Sequence, residues 1–160
     1  MSRIHVPVSI RFNDLDAYGH VNNAAMLTLL EEARIAVFWG AGDLQVEGVN
    51  DPDGPVADTR DATTITLVAR QEVEYLAPIP YLREPLDVQL WLGRLGGASL
   101  DVCYEIWSPA AADAATLFAK AATTIVLVDA ASGRPRRMTD REREAWSAHI
   151  DAPVEFSKRS

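Results

Sequence analysis

The chain divides into a short alternating segment, a long apolar run, and a second half in which polar and apolar residues alternate again. Residues 5–12 alternate one by one, which is typical of a half-buried strand. Residues 24–39 are apolar with few exceptions and are too many for a strand, so they predict a long helix. A helix that is apolar nearly all round is buried on most of its faces. Asn22 or Asn23 is the expected N-cap of this helix.

Strand patterns dominate the second half of the chain. Gly40 and Gly42 are expected to end the helix, and the turn formers that follow predict a surface loop over residues 45–63. Gly96 and Gly97 then predict a hairpin turn between two alternating stretches. Four strands are predicted in all, over residues 64–76, 86–95, 99–107 and 115–129.

A short helix is predicted near the end of the chain. Thr139 and Glu142 have the spacing of a capping box, and the helix should run to about His149. The order of a strand, a long helix and four strands suits an antiparallel sheet wrapped around one helix, in the α+β class. With 160 residues, 48% of them hydrophobic, we expect one core and a single domain over residues 1–160.

Composition narrows the classes of function. The net charge of −8 argues against a general binder of nucleic acid or of an anionic membrane. Cys103 is the only cysteine, so no intrachain disulfide and no cysteine-rich metal site are expected. Asp51 and Asp53 resemble the start of a calcium loop, but the glycine and closing glutamate are missing at the required spacing, so we expect a solvated loop. No membrane segment is expected, and a cytoplasmic location is the default.

The residues with the most chemical meaning lie between Arg11 and Asn23. Two carboxylates, a glycine, a histidine and two asparagines stand on one turn that leads into the long helix. A helix N-terminus presents unpaired backbone N–H groups and a partial positive charge, which stabilise an anion or a developing oxyanion. With a carboxylate nearby as base or nucleophile, the segment predicts an acyl-transfer site.

Each of these residues also has a structural interpretation. Asp16 could be the reacting carboxylate or could cap the turn through its own hydrogen bonds. For Asp14 we expect a structural role, either bonding backbone amides or pairing with Arg11. His20 could line the site or only support the loop. Asn22 and Asn23 suit N-caps, and Asn23 could also orient water or a carbonyl group.

The segments Asp14–Asn23, Leu30–Arg34 and Tyr75–Ile79 resemble those of hot-dog-fold acyl-CoA thioesterases, most closely the 4-hydroxybenzoyl-CoA thioesterase-like branch. The resemblance implies a curved antiparallel sheet wrapped around one central helix, and hydrolysis of a thioester. It places the catalytic aspartate at Asp16, and it implies that backbone amides from about Gly19 to Ala25 polarise the carbonyl. Asn23 and His20 are further candidate catalytic residues from their position on the turn. The implied substrate-binding residues on this turn and helix are Gly19, Val21, Asn22, Ala24 and Met26.

Two departures from the family pattern concern substrate binding. Met26 stands where many relatives have a tyrosine, so the acyl pocket should differ in shape. The turn over residues 96–99 lacks the basic residues with which some relatives hold the coenzyme A phosphates. The cluster of Arg134, Arg136 and Arg137 is the candidate replacement, because a guanidinium binds phosphate with two parallel hydrogen bonds.

The leading hypothesis is therefore an acyl-CoA or acyl-carrier thioesterase in which Asp16 attacks the carbonyl or activates water. No cofactor and no metal are needed, since coenzyme A is part of the substrate. Alternatives are an enoyl-thioester hydratase or dehydratase, which would use Asp16 and His20 as a pair, a non-catalytic acyl-carrier binding module, and a scaffold subunit. Glu32 on the helix is expected to form a buried or semi-buried pair with an arginine such as Arg34 or one from a strand.

The expected assembly is a homodimer or a homotetramer. A curved open sheet leaves edges that must be covered. The resemblance implies that two sheets join edge to edge, with the active site near the interface and built from both chains.

Overall fold

One long helix packs against the inner face of a five-stranded sheet. The computed structural model describes residues 3–38 and 63–159. In chain order the elements are β1 (Ile4–Val8), a 3-10 turn (Phe12–Asp14), α1 (Asn23–Phe38), β2 (Thr64–Tyr75), β3 (Leu86–Leu95), β4 (Ser99–Trp107), β5 (Leu117–Asp129) and α2 (Asp140–Ser147).

The sheet is antiparallel throughout, with the strand order β1-β3-β4-β5-β2. Each of the four strands predicted after residue 63 is present, and the antiparallel prediction is confirmed. The predicted first strand was too long, because the chain leaves β1 after Val8 and turns at Phe12. The Asp14 carboxylate accepts the Arg11 backbone N–H at 2.7 Å, and this local bond favours a turn over further strand pairing.

The core lies between α1 and the sheet. Leu30 and Ala33 of the helix are fully buried against residues of β3, β4 and β5 such as Val88 and Leu127. One stripe of the helix is uncovered in the single chain, at positions three and four residues apart. It includes Ala24, Leu27, Thr28 and Glu31.

The predicted capping box of the terminal helix is confirmed. The Thr139 side chain accepts the Glu142 N–H at 3.1 Å, and the Glu142 carboxylate accepts the Thr139 N–H at 3.0 Å. This cap directs Trp146 into the core, where its ring meets that of Phe38 edge-on at 6.2 Å. Helix α2 therefore closes one end of the space between α1 and the sheet.

Some predictions fall outside the described residues. These are the helix end at Gly40 and Gly42, the loop over residues 45–62, and the Asp51 and Asp53 pair within it. Within the described part of the chain, no helix is both long enough and apolar enough to cross a membrane.

Candidate active site

Asp16 holds the turn before α1 with one carboxylate oxygen. Its Oδ1 accepts the backbone N–H of Tyr18 at 2.8 Å and of His20 at 3.1 Å. Gly19, with φ of +78°, allows the chain to reverse between them. Oδ2 has no hydrogen-bond partner among residues 3–38 and 63–159, and the side chain is half-buried. Asp16 therefore has the predicted capping contacts and also a second oxygen that can react.

Asp14 has the structural role that was expected. Its side chain is only 2% exposed and accepts the Arg11 guanidinium at 3.0 Å as well as the Arg11 backbone N–H. Burial by itself raises the pKa of Asp14, but the hydrogen bonds and the charge of Arg11 outweigh it and leave that pKa below its ordinary value. This carboxylate is fully engaged in holding the turn, so the two aspartates have separate tasks.

The loop after β2 anchors the turn from the other side. The Val21 N–H donates to the Ile79 carbonyl at 2.9 Å, and His20 pairs with Pro80 through the backbone. The Tyr75 hydroxyl donates to the Asn23 carbonyl at 2.7 Å, directly at the start of α1. Tyr75 belongs to the segment that carried the family resemblance, but no local pattern indicates this contact, because it joins residues far apart in the chain.

The free backbone amides at the start of α1 are fewer than the predicted range from Gly19 to Ala25. The amides of Gly19, His20, Val21 and Asn22 donate to groups of the turn or of the loop after β2, and that of Ala24 donates to Asn22 Oδ1 at 2.8 Å. In the described part of the chain, only the N–H groups of Asn23 and Ala25 within this range have no acceptor. Asn22 is thus the N-cap, and two amides can bind an oxyanion.

His20 does not form the side-chain pair with Asp16 that a hydratase would use. Asp16 accepts the backbone N–H of His20, and no bond from the imidazole is found among the described residues. A catalytic role for His20 stays a prediction.

The remaining predicted residues of the turn and helix divide into exposed and buried side chains. Asn23 and Ala24 have exposed side chains at the helix start, where they can meet a ligand. Val21 and Met26 are buried in the core. Their contact with substrate, like the catalytic role of Asn23, stays a prediction.

The arginine cluster is not next to Asp16 within one chain. Arg136 Nε donates to Thr64 at the first residue of β2, whereas Tyr75 at its last residue contacts the start of α1. Over the 12 residues of β2 these ends are about 35 Å apart. Arg136 is also committed to Glu142 by two bonds of 2.7 and 2.9 Å, so only Arg134 and Arg137 of the cluster have exposed side chains.

The expected ion pair of Glu32 with Arg34 is wrong. Glu32 is exposed, and among the described residues no ion pair links it to Arg34 or to an arginine of a strand. Residues two apart on a helix point in different directions, and Arg34 instead donates to the Tyr104 hydroxyl at 3.2 Å on the inner face of the sheet.

Comparisons with known proteins identify the family. The model of the thioesterase-like superfamily matches residues 10–152. The chain belongs to the thioesterase-like superfamily. Its sheet, its helix and its structural neighbours confirm the predicted hot-dog fold, and the chain is a thioester hydrolase.

Several relatives of this thioesterase cover nearly its whole length. A thioesterase from Thermus thermophilus, solved with coenzyme A and Zn, is 30% identical, with a TM-score of 0.67 over 91% of this chain and 92% of that one. The probable thioesterase YbaW from Escherichia coli has a TM-score of 0.70 at 22% identity, over 92% and 99%. The uncharacterised protein YsmA of Bacillus subtilis is 28% identical over 86% of this chain and 80% of its own.

Gly19 provides a test of the turn. Gly19→Ala should lower the free energy of unfolding by about 1–2 kcal/mol, because a side chain disfavours positive φ, and should also reduce thiol release from acyl thioesters by displacing Asp16. Gly133→Ala is the matched control, since Gly133 has φ of +70° in the turn after β5. Thermal melts should show that Gly133→Ala lowers stability by a similar amount, while its rate of thiol release stays at the wild-type level. Equal activity in the two variants would contradict the importance of the Asp16 turn.

Proposed function

We propose that the thioesterase hydrolyses acyl-CoA with Asp16 as nucleophile or general base. The observation that carries this proposal is that, among the described residues, Asp16 Oδ2 is free on the same turn that ends in the free N–H groups of Asn23 and Ala25. A reactive carboxylate and two donors for an oxyanion are what acyl transfer requires.

In this mechanism the thioester carbonyl oxygen accepts the N–H groups of Asn23 and Ala25. Asp16 Oδ2 then follows one of two routes. It attacks the carbonyl carbon, expels the thiolate and forms a mixed anhydride that water opens, or it takes a proton from water that attacks directly. In both routes the C–S bond breaks and a C–O bond forms with the oxygen of water, and a proton given up by that water converts the leaving thiolate into the thiol. The chain's own groups and water suffice for every step.

Rapid quenching separates these routes. During a single turnover with excess enzyme, the nucleophilic route gives a transient mass increase of one acyl group on the peptide that contains Asp16. The general-base route gives released thiol with no such adduct at any time. Quenched samples are digested and examined by mass spectrometry, and Asp16→Asn provides the blank.

Coenzyme A is the proposed carrier. The Thermus thermophilus relative at 30% identity was solved with coenzyme A. In this chain Arg134 and Arg137 are exposed and could meet the phosphates, but they lie at the far end of β2 from Asp16. One coenzyme A thioester can therefore contact these arginines and an Asp16 turn together only if the arginines and the turn come from two copies of the chain.

A homodimer joined along β2 supplies that copy. β2 is an edge strand of 12 residues, and Ile65, Leu67 and Val68 are each roughly half exposed on it. A long apolar edge strand is a template for pairing with another chain. Antiparallel pairing of two β2 strands would bring the arginines of one copy towards the Asp16 turn of the other.

Ile65→Lys tests this assembly, at an exposed position of β2 that does not line a cavity. We expect it to convert a dimer into a monomer in light scattering at micromolar concentration, and to reduce thiol release strongly, because the added charge opposes burial of the edge. His5→Lys on the opposite edge strand, β1, is the control and should keep both the mass and the activity. A wild-type chain that is monomeric and fully active would overturn the proposed dimer.

A further inference from the structure

A cavity of about 120 Å³ lies between the second half of α1 and the strands β2 and β5. Trp146 of α2 also lines it. Its other walls are mostly apolar and include Ile35, Phe38, Val68, Ile125 and Leu127. Among the described residues that line it, the polar side chains are those of Thr66, Glu31 and Arg34. An apolar cavity with a few placed polar groups is the usual form of a small-molecule site.

Arg34 brings hydrogen-bond donors to this cavity. Its Nη1 donates to the hydroxyl of Tyr104, which is completely buried, so the guanidinium is fixed in place. A guanidinium has five N–H donors. Among residues 3–38 and 63–159, no carboxylate lies within ion-pair distance of Arg34 and no other acceptor is found. A half-buried cation is costly without partners, so its free donors suit an acceptor on a ligand.

Glu31 determines which kind of acceptor fits. It lies one turn before Arg34, lines the same cavity and forms no ion pair within the described part of the chain. A carboxylate on the ligand would be attracted by Arg34 but repelled by Glu31. A hydroxyl group both accepts and donates, so it can bond to Arg34 and Glu31 together. An unsubstituted hydrocarbon would satisfy neither.

Helix α1 and strand β2 both extend from the cavity to the neighbourhood of the Asp16 turn. On α1, the uncovered stripe runs from Ala24 at the helix start to Glu31 at the cavity. On β2, Val68 lines the cavity, and Tyr75 at the end of the strand contacts the first residue of α1. At about 1.5 Å per residue, Glu31 and Arg34 lie about 12 and 16 Å along the helix from Asn23. A single hydroxylated aromatic ring is too short to span that distance.

We propose that this cavity binds the distal part of an acyl chain and that Arg34 and Glu31 recognise a hydroxyl group carried there, far from the thioester. The inference rests on the proposed acyl-CoA hydrolysis for its link to Asp16. It names a substrate class, distally hydroxylated medium-chain or long-chain acyl groups, that differs from the aromatic acyl group of the 4-hydroxybenzoyl branch.

The test compares CoA thioesters of equal chain length that carry no substituent, a distal hydroxyl, a distal keto group, a terminal carboxylate, or a hydroxyl next to the thioester. We expect kcat/KM of the wild type to favour the distal hydroxyl over the plain chain by about tenfold or more, the scale of one charge-assisted hydrogen bond. Arg34→Met should abolish this preference, and Glu31→Gln should weaken it. Arg159→Met, which removes a charge at the exposed end of the chain, should retain it.

A second measurement is independent of hydrolysis. Calorimetry should show that the free distal hydroxy acid binds the wild type more tightly than the plain acid, and that Arg34→Met loses the difference. If Arg34→Met lowers the rates of all five thioesters equally, or if the wild type has no preference, Arg34 is structural and the inference is overturned. If no thioester is hydrolysed but Arg34-dependent binding of the hydroxy acid persists, the proposed function fails and the binding site stands.

Discussion

Asp16→Asn is expected to reduce thiol release at saturating acyl-CoA by about 10²- to 10⁴-fold, the range in which a positioned acid or base contributes. A neutral amide is neither a nucleophile nor a base at neutral pH. The folded state should change little, because asparagine retains an oxygen that can accept the N–H groups of Tyr18 and His20. Activity and thermal melts measured on the same preparations separate the two effects.

Asp14→Asn is the matched control, two residues away on the same turn. It removes a carboxylate that is 2% exposed and bonded to Arg11 through both backbone and side chain. We expect a clear fall in melting temperature, with activity declining mainly in step with the folded fraction. If Asp16→Asn keeps more than about a tenth of the wild-type rate, the barrier rises by at most about 1.4 kcal/mol. The catalytic role would then have to be sought elsewhere, and His20 would be tested next.

Glu142→Leu is expected to lower the free energy of unfolding by about 3 kcal/mol, because breaking a buried ion pair leaves the other charge uncompensated. Glu142 is 1% exposed, holds Arg136 by two hydrogen bonds and completes the cap of α2. For a domain of this size the melting temperature should fall by roughly 6–12 °C.

The double variant Arg136→Met/Glu142→Leu tests that explanation. Because it removes both charges, it should recover much of the lost stability, and the cycle of four proteins gives the coupling energy of the pair. A double variant that loses the sum of the two single effects would show that the residues act independently. The loss would then come from packing or from the cap rather than from the ion pair.

Acid sensitivity provides another measure of the same pair. Burial raises the pKa of Glu142, but the hydrogen bonds from Arg136 and Thr139 outweigh this and hold the pKa below its ordinary value of 4.5. The stability that Glu142 contributes is therefore present above about pH 4.5 and is lost as the pH falls through the lowered pKa. Between about pH 5 and about pH 2, the unfolding free energy of the wild type should fall more steeply than that of Glu142→Leu. Parallel curves would contradict this contribution.

The sequence by itself determined the features that depend on neighbouring residues. Alternation placed strands β2 to β5, and the apolar run from residue 24 placed α1, because side-chain periodicity is a local property. The capping box of Thr139 and Glu142 and the pairing of Asp14 with Arg11 each join residues three apart, so their spacing could be read directly.

The tertiary structure decided which polar groups are occupied. The amides of Val21 and Asn22 are taken by Ile79 and Asp14, which leaves those of Asn23 and Ala25 without an acceptor among the described residues. Arg136, predicted to bind phosphate, is held by Glu142 and by Thr64 of a distant strand. Arg34, expected to pair with Glu32, bonds to Tyr104 70 positions away. Such contacts depend on how strands and helix are brought together, and no local pattern records which partner a side chain meets across the core.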